Sequence, residues 1–558
     1  MWARNILKRK MINLKMSNVK DNKNIINIFV IFVSLFILTI IPISKVPVHY
    51  QNADIYNGEL TAYSLIFVNN WLKDGIINDK FMTYCDYASV EFENNDRCVY
   101  LSYPPGAFLP LYLIAKGIGA SDVSTGFIKY FIQLEYYLSI LLLGLLFYVC
   151  LKILQVRSRL FLIVLPVIFS SLWAFLPYNL YYMKNIYFTD QAVILLSIVF
   201  FLIEFALYNK PLEAWKHFLQ ILSCVVLFAG ILTDYYFYCI AFVAIIFRIW
   251  ITFQDYPGKS LLYKLFSNTW TLIMSAIVAS ALFLVQLLLI PNGLKLLLLT
   301  FFIRADSGAD FGGVNGLINH FNIGFSVFSI PILMTTLIYC FIFPLIRNKY
   351  GQDKQMLVRW LSIIVLSTVL HTVILREHSI IHEFSMLKYN LVFVFIIFAF
   401  VCWIYLSYMT REAGGVRKFL GISLFFIICL LFFSFKILNG YGQFFYAKRV
   451  FTDNHSIAHF IKDNTNYFDV VYSPDYEIYW NQPQDLSISQ KRVYKISSLE
   501  EILPNNLPDA AVINILISGD SLKKENWNKL MEQKNILFKT SDFYLYKIPK
   551  NSLPAIIH

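Results

Sequence analysis

The sequence predicts a polytopic α-helical membrane protein of about eleven spans, with a small α/β domain at the C-terminus. Of its 558 residues, 58% are hydrophobic, and the apolar residues form runs long enough to cross a bilayer. Near Tyr446 the composition changes, and short strand-like runs begin to alternate with helical stretches. We therefore divide the chain into a basic cytoplasmic N-terminus (1–24), a membrane domain (25–437) and an extracytoplasmic α/β domain (438–558).

The formal net charge of +12 is explained by membrane topology, so we do not expect nucleic acid as a partner. Basic residues precede the first apolar run, Ile25 to Ile43, and others follow each predicted inward crossing. This first run is too long for a signal-peptide core, and no small-residue cleavage site follows it. It predicts a retained first span with a cytoplasmic N-terminus.

The remaining elements follow in order along the chain. A long polar segment (46–133) forms the first outer loop and contains two interfacial helices, Leu60 to Leu72 and Phe108 to Ile118. Ten further spans are predicted at Tyr136–Leu151, Leu160–Pro177, Ala192–Tyr208, Phe218–Thr233, Phe237–Phe247, Trp270–Ile290, Ile323–Ile346, Trp360–Leu375, Tyr389–Tyr405 and Phe419–Phe435. Strands of the last domain are predicted at Asp469–Tyr472, Arg492–Ile496, Ala511–Ile517 and Phe543–Ile548, with helices at Ser456–Asp463 and Ser521–Gln533.

Carboxylates stand at two helix starts on the predicted outer side. Glu59 begins the first interfacial helix, Asp54 lies shortly before it, and Asp190 follows Thr189 at the start of the fourth span. At a water–lipid boundary, a carboxylate is suited to act as a general base on an acceptor hydroxyl. The alternative for each is an acid that only stabilises a helix N-terminus. Two such acids on one face also allow a divalent metal at Asp190, which the residues leave open.

Cations gather on the same predicted face. They are Lys184, in a polar group with Tyr182, then Arg304 in a later outer loop, and Arg376, His382 and Lys388 between the ninth and tenth spans. Basic side chains near the membrane can hold a phosphate, and the alternative is a solvated interfacial loop. The sequence contains no P-loop, zinc-ligand spacing, Rossmann fingerprint or nucleophile elbow.

Two of the eight cysteines, Cys85 and Cys98, share the hydrophilic first outer loop. In an oxidising compartment we expect them to form a disulfide, and the alternative is two free thiols. The other cysteines fall in apolar runs, where they are typical packing residues.

Several short motifs, taken in order, resemble the GT-C superfamily of membrane glycosyltransferases, in particular the bacterial branch related to protein O-mannosyltransferases and aminoarabinose transferases. They are the acidic first loop with Asp54, Glu59 and Tyr63, then Tyr103-Pro104-Pro105-Gly106, Phe188-Thr189-Asp190, Leu232-Thr233-Asp234-Tyr235, and the His382 to Tyr389 segment. The likeness covers most of the chain from Ile25 to Phe435. Many relatives have an adjacent Asp-Glu pair in the first loop, whereas here Asp54 and Glu59 are separated by four residues.

The resemblance implies an enzyme of the bacterial inner membrane that moves a sugar from a polyprenyl-phosphate-linked donor to a lipid, glycan or protein acceptor on the outer side. It implies a catalytic base in the first loop, for which Glu59 is the first choice and Asp54 the second. Asp190 would orient the acceptor or hold a metal. Lys184, Arg304, Arg376, His382 and Lys388 would bind the donor phosphate, and Tyr63, Tyr103 and Tyr182 would bind substrate.

Two other functions remain open at this point. A transporter or flippase for a lipid-linked or anionic solute would place ionisable residues near the middle of spans, where this sequence has few. A membrane scaffold would use the C-terminal domain to bind partners. The sequence identifies no cofactor, sugar or acceptor.

Overall fold

The computed structural model describes most of the membrane domain and part of the C-terminal domain. The described residues are 23–45, 58–85, 99–208, 213–255, 258–266, 269–306, 315, 352–409, 461–462, 470–474, 493–501, 512–523, 527, 536–539 and 543–549.

The described part of the membrane domain is mostly helical. Its helices are α1 (Lys23–Lys45), α2 (Gly58–Asn70), α3 (Leu109–Gly117), α4 (Thr125–Ile153), α5 (Arg159–Ala174), α6 (Pro177–Asn185), α7 (Thr189–Tyr208), α8 (Glu213–Ile231), α9 (Tyr236–Asp255), α10 (Leu261–Phe266), α11 (Trp270–Leu288), α12 (Gly293–Asp306), α13 (Gln352–Ile374), α14 (Arg376–Ile381) and α15 (Met386–Met409). Short turns of other helix types extend three of them, at Trp71–Gly75, Pro105–Phe108 and Glu383–Ser385.

Five of the described helices are long and apolar enough to cross a membrane, namely α1, α4, α7, α9 and α11. The count becomes six if α5 and α6 form one broken span, which bends by 73° where Pro177 begins α6. Apolar stretches of α8, α13 and α15 are shorter. The protein is therefore an integral membrane protein, and the total of eleven spans stays a prediction.

Most predicted spans coincide with a helix of the structure. Helices α1, α4, α5, α7, α8, α9, α11, α13 and α15 overlap nine of them, while the spans at Ile323–Ile346 and Phe419–Phe435 lie outside the described residues. One element is new, because α12 lies in a segment expected to be an outer loop. Its apolar side chains are exposed, which is typical of a helix in contact with lipid.

The membrane helices pack around one large apolar core. Helix α4 packs against α5 and α7, and α7 packs against α8. Helix α13 contacts both α9 and α15. Helix α15 also contacts α5, α6 and α7. This arrangement brings the starts of α7, α9 and α15 and the end of α13 together, although their sequences are far apart.

The first outer loop forms a second, smaller apolar core on this end of the bundle. Its interfacial helices α2 and α3 bury Phe67, Trp71 and Phe108 against Tyr187 and Phe188, which directly precede α7. Both predicted interfacial helices are thus confirmed as helices. Packing them on the start of α7 fixes the loop next to the helix ends described above.

The described part of the C-terminal domain is a five-stranded mixed sheet. Its strands are β1 (Val470–Ser473), β2 (Val493–Lys495), β3 (Val512–Ser518), β4 (Ile536–Lys539) and β5 (Phe543–Pro549), in the order β2-β1-β3-β5-β4. The pairs β1–β2 and β1–β3 are parallel, whereas β5 is antiparallel to both β3 and β4. Four strands match the predicted runs, and β4 was not predicted. The location of this domain outside the membrane stays a prediction.

Candidate active site

Two carboxylates and one ammonium group meet at the ends of the membrane helices that are predicted to face outward. Lys388 Nζ, in the first turn of α15, lies 2.7 Å from Asp190 Oδ1 and 3.5 Å from Asp234 Oδ2. His371 Nε2 of α13 lies 3.9 Å from Asp234 Oδ1. All four side chains are buried. We call Asp190, Asp234, Lys388 and His371 the outer charge cluster.

Asp234 is held in place by the tight turn between α8 and α9. Its Oδ1 accepts a hydrogen bond of 2.7 Å from the backbone N–H of Tyr236, the first residue of α9. Such an acid just before a helix satisfies one of the free N–H groups of the first turn. Burial raises the pKa of Asp234 to about 6, while Lys388 opposes this rise. The carboxylate is therefore mostly ionised at neutral pH.

The sequence predicts only part of this cluster. It indicates Asp190 as an acid near the acceptor and Lys388 as a phosphate ligand, without relating the two, and it gives Asp234 no role within its motif. His371 was not selected, because a lone histidine in an apolar span gives no signal of its own. The clue for Asp234 was its position between two apolar runs, where an unpaired acid is costly.

A glycine connects two motifs of the resemblance. The backbone N–H of Gly106 donates a 2.7 Å hydrogen bond to the carbonyl of Leu232, in the α8–α9 turn. A Cβ at position 106 would lie 2.4 Å from that carbonyl oxygen, so only glycine permits this approach. The Tyr103–Gly106 segment is thereby fixed beside Asp234.

Tyr103 then links this segment to α14 and α12. Its hydroxyl lies 2.6 Å from His378 Nε2, and its ring lies 4.5 Å from the guanidinium carbon of Arg304. The ring also stacks on Tyr235. Burial lowers the pKa of His378 well below its usual value, and Arg304 adds to this effect. His378 is therefore neutral, and one ring nitrogen bonds Tyr103.

A cavity of about 280 Å³ lies beside this group. The surface of this cavity is apolar, and the residues around it are Ser102, Tyr235, Leu375 and, on α12, Leu297, Leu298, Thr300, Phe301 and Arg304. Arg304 donates a hydrogen bond of 2.8 Å to the carbonyl of Ser102 and is also hydrogen-bonded to Tyr100, and a guanidinium has five N–H donors in all. An apolar cavity with one cation suits an anionic head group attached to an apolar chain.

Several buried polar atoms around the outer charge cluster have no hydrogen-bond partner in the part of the chain that the structure describes. They are Asp190 Oδ2, Thr189 Oγ1, both amide atoms of Gln191, Tyr235 Oη, His371 Nε2, His378 Nδ1, Ser379 Oγ and Ser385 Oγ. Buried polar groups in proteins are normally paired, so such a concentration indicates a site for a polar ligand. These atoms lie on α7, α13 and α14 and on the residues directly before α9 and α15.

The first-loop acid Glu59 lies close to this site in the backbone. It is the second residue of α2, and this helix is attached to the segment before α7. Thr61 Oγ1 accepts a 3.1 Å hydrogen bond from the N–H of Tyr187, and Ser64 Oγ donates to the Tyr187 carbonyl. The starts of α2 and α7 are therefore neighbours. The Glu59 side chain and all of Asp54 lie outside the described residues.

The other predicted site residues fall into two groups. His382 stacks on Phe384 next to His378, and Arg376 on the same loop is half-exposed, with its guanidinium 3.8 Å from Glu377. His382 therefore borders the site through His378. Lys184 is not part of it, since its ammonium donates to the carbonyl of Ile43 at the end of α1.

Two of the selected tyrosines pack in the apolar cores. Tyr182 is fully buried among Tyr178, Tyr181 and Phe384. Tyr63 stacks on Phe67 and contacts Tyr100. Of the predicted substrate-binding tyrosines, Tyr103 directly contacts the site.

Of the two cysteines predicted to form a disulfide, Cys85 lies among the described residues and Cys98 lies outside them. Tyr84 and Val99 form an antiparallel bridge, and the N–H of Tyr100 donates to the Thr83 carbonyl. The Cys85–Cys98 disulfide stays a prediction.

Among the described residues, no three His, Cys, Asp or Glu side chains converge to hold a metal. At Asp190, Oδ1 is already bonded to the Lys388 ammonium. A divalent metal at Asp190 would therefore have to compete with Lys388 for this oxygen.

Structures of known proteins share this architecture. The chain is similar to ArnT from Cupriavidus metallidurans bound to undecaprenyl phosphate, with 10% identity, a TM-score of 0.50, and coverage of 95% of this chain and 98% of that one. It is also similar to the archaeal oligosaccharyltransferase AglB from Archaeoglobus fulgidus in complex with an inhibitory peptide and a dolichol-phosphate. There the identity is 10%, the TM-score 0.51, and the coverage 89% of this chain and 69% of that one.

The chain shares the fold of these proteins. The apo structure of the same ArnT agrees, with 11% identity, a TM-score of 0.50 and coverage of 96% of this chain. No protein-family model and no curated protein sequence matches the chain. At such low identity the likeness establishes the fold, as the resemblance predicted, and the activity has to be argued from the site.

Proposed function

We propose that the protein is a GT-C glycosyltransferase that moves a sugar from a polyprenyl-phosphate-linked donor to an acceptor at the outer face of the membrane. The observation that supports this most strongly is the free oxygen of Asp190. This atom, Oδ2, is buried and unpaired among the described residues, while Oδ1 is fixed by Lys388. A carboxylate held this way is ready to accept a hydrogen bond from a substrate hydroxyl.

The arrangement suits transfer from a lipid phosphate. The acceptor hydroxyl oxygen attacks the anomeric carbon, the bond from that carbon to the phosphate oxygen breaks, and the phosphate leaves with the electron pair. The proton of the hydroxyl passes to a first-loop carboxylate, with Glu59 as first choice and Asp54 as second. Asp190 orients the acceptor, since it approaches from the neighbouring helix start.

The departing phosphate needs a cation, and Arg304 fits this role best. Its guanidinium lines the cavity beside Tyr103 and is carried by α12, whose exposed apolar side chains provide a path from lipid. His382 borders the same site, and it and Arg376 on the same loop are further phosphate ligands in this proposal. The undecaprenyl phosphate and dolichol-phosphate present in the similar structures agree with a donor of this class.

A transfer assay in proteoliposomes tests the proposal. Purified protein would be supplied with polyprenyl-phosphate sugars and membrane extracts as acceptor source, and release of free polyprenyl phosphate would be measured. We expect wild-type turnover, a decrease of about 100-fold or more for Glu59→Gln if Glu59 is the base, and the same for Asp54→Asn if Asp54 is. Asp122→Asn, whose carboxylate is 38% exposed, is the control acid.

Arg304 is tested by the donor dependence of the same reaction. We expect Arg304→Ala to raise the KM for the donor at least about tenfold and Arg304→Lys to do so less, because Lys retains the charge without the planar fork. Full activity of the Arg304→Ala, Glu59→Gln and Asp54→Asn variants would refute these roles. Movement of a lipid-linked sugar across the bilayer without any covalent product would instead favour the flippase alternative.

A further inference from the structure

We propose that Lys388 is the built-in cation of the outer charge cluster: its ammonium occupies the place between Asp190 and Asp234 that a divalent metal would otherwise take. Its catalytic consequence rests on the proposed function, but the occupancy itself does not. The proposal gives Lys388 a positioning role instead of the phosphate-binding role suggested by the sequence, and it makes a divalent metal unnecessary at Asp190.

The contacts of Lys388 support this assignment. Its Nζ is 2.7 Å from Asp190 Oδ1 and 3.5 Å from Asp234 Oδ2, so one ammonium bridges carboxylates from two different helix ends. The side chain is 1% exposed, and Nζ lies 5.7 Å from the centroid of the Tyr236 ring. A lysine enclosed by two acids and an aromatic face is not placed to reach the lipid phosphate.

The charge balance explains why a cation is needed at this point. Two ionised carboxylates this close in a low-dielectric region repel each other strongly unless a positive charge separates them. Lys388 reduces the net charge of the two acids from −2 to −1 and fixes the orientation of Asp190. The two carboxylates use two of the three N–H groups of the Lys388 ammonium, which leaves the third. Asp190 Oδ2 is unpaired among the described residues. This N–H and this oxygen are therefore available to a polar ligand.

The same donors would suit a divalent metal if the lysine were absent. Two carboxylates are enough to hold a hydrated divalent ion such as Mn²⁺, with water as the further ligands. The ammonium and a metal ion cannot occupy the same position, so removing the lysine side chain should convert an ammonium site into a metal site.

The test uses two variants of the same position in the full-length protein. Lys388→Ala removes the charge and opens space for a hydrated ion, whereas Lys388→Met removes the charge but keeps the space filled. Purified proteins would be titrated with Mn²⁺ and followed by electron paramagnetic resonance and by thermal unfolding. These readouts need no sugar donor, so their result is independent of the proposed function.

We expect no stoichiometric Mn²⁺ binding by the wild type or by Lys388→Met, and about one ion per chain in Lys388→Ala with an increase in its unfolding temperature. Adding Asp190→Asn to Lys388→Ala should abolish that binding. In the transfer assay, EDTA should leave wild-type activity unchanged. Lys388→Ala should be about 100-fold less active without metal and recover at least about tenfold with Mn²⁺, while Lys388→Met should not recover.

A role limited to folding would lower the stability of both variants without creating a metal site. Equal Mn²⁺ titrations of Lys388→Ala and Lys388→Met would overturn the proposal. Tight binding of one Mn²⁺ by the wild type, or loss of its activity in EDTA, would also overturn it. If Lys388→Ala cannot be purified even with Mn²⁺ present, the wild-type titration alone still decides between a lysine and a metal.

Discussion

Two buried charge groups at opposite ends of the same helices differ in how completely they are paired. The outer charge cluster lies at the start of α7, whereas Glu204 and Arg248 form a second group near the other ends of α7 and α9. Asp190 and Glu204 are 14 residues apart on α7, or about 21 Å along its axis. Both groups are excluded from water.

In the inner group the charges cancel, and both carboxylate oxygens have hydrogen-bond partners. Arg248 Nη2 is 2.5 Å from Glu204 Oε1 and Arg248 Nε is 3.1 Å from Oε2, so the pair is bidentate. Ser223 of α8 adds a hydrogen bond of 2.6 Å to Oε1. Each carboxylate oxygen of Glu204 therefore has a partner. This is the arrangement expected of a group that only holds helices together.

The outer group has a net charge, and one of its carboxylate oxygens has no hydrogen-bond partner among the described residues. It combines two carboxylates with one ammonium, and Asp190 Oδ2 has no partner among the described residues. A protein retains such an arrangement where a ligand completes it, at some cost to stability. The comparison separates a structural ion pair from a candidate active site within one set of helices.

The largest expected effect is on activity at the outer end. Asp190→Asn should lower transfer about 100- to 1,000-fold, since the amide cannot orient the acceptor as the carboxylate does. Because the change also makes the cluster neutral, we expect the free energy of unfolding to stay equal or increase. Activity assays and thermal unfolding of the same preparation check this. A destabilised Asp190→Asn protein with normal turnover would contradict the assignment of the outer group to activity and not to stability.

At the inner end the expected effect is on stability. Arg248→Met leaves Glu204 buried and unpaired, which should cost about 3–5 kcal/mol. Turnover per folded molecule should remain unchanged, because the outer charge cluster is far away. Adding Glu204→Gln should restore most of the lost stability, as measured by unfolding in detergent. If the double variant is as unstable as the single one, the pair is not the cause.

A smaller effect is expected where the first outer loop attaches to the α8–α9 turn. Gly106→Ala places a Cβ against the Leu232 carbonyl and should cost about 1–3 kcal/mol, while moving Tyr103 away from Asp234. Gly117→Ala is the matched control, since a Cβ at position 117 meets no atom within 4 Å. Thermal unfolding and transfer rates should distinguish the two. Equal behaviour of both variants would refute the glycine requirement.

The smallest expected effect concerns pH. Burial raises the pKa of Asp234 from 3.8 to about 6, so its contribution to stability is fully present below pH 3.8 and is lost as pH rises through about 6. Wild-type protein should therefore lose about 1 kcal/mol between pH 5 and 7 relative to Asp234→Asn. The groups facing Asp234 are Lys388, His371 and Asp190. Identical pH profiles of both proteins would show that Asp234 does not titrate in this range.

Helices and strands were largely predictable because their signals are local. A run of about 20 apolar residues specifies a membrane helix whatever surrounds it, and alternating short runs specified four strands of the C-terminal sheet. Local signals failed at α12, which was assigned to a loop because of its flanking polar residues, and at β4, a short strand without a clear pattern. Arg304 therefore proved to lie on a helix.

The sequence by itself determined that this is a membrane protein with acids and cations at the ends of its apolar runs, because length and hydropathy act through nearby residues. Only the tertiary structure decided which of these charges meet. Asp190, Asp234 and Lys388 come from three distant segments, and helix packing alone puts one ammonium between two carboxylates. It likewise placed Lys184 apart, against the end of α1. Charge placement can be read from sequence, but charge pairing depends on distances that packing sets.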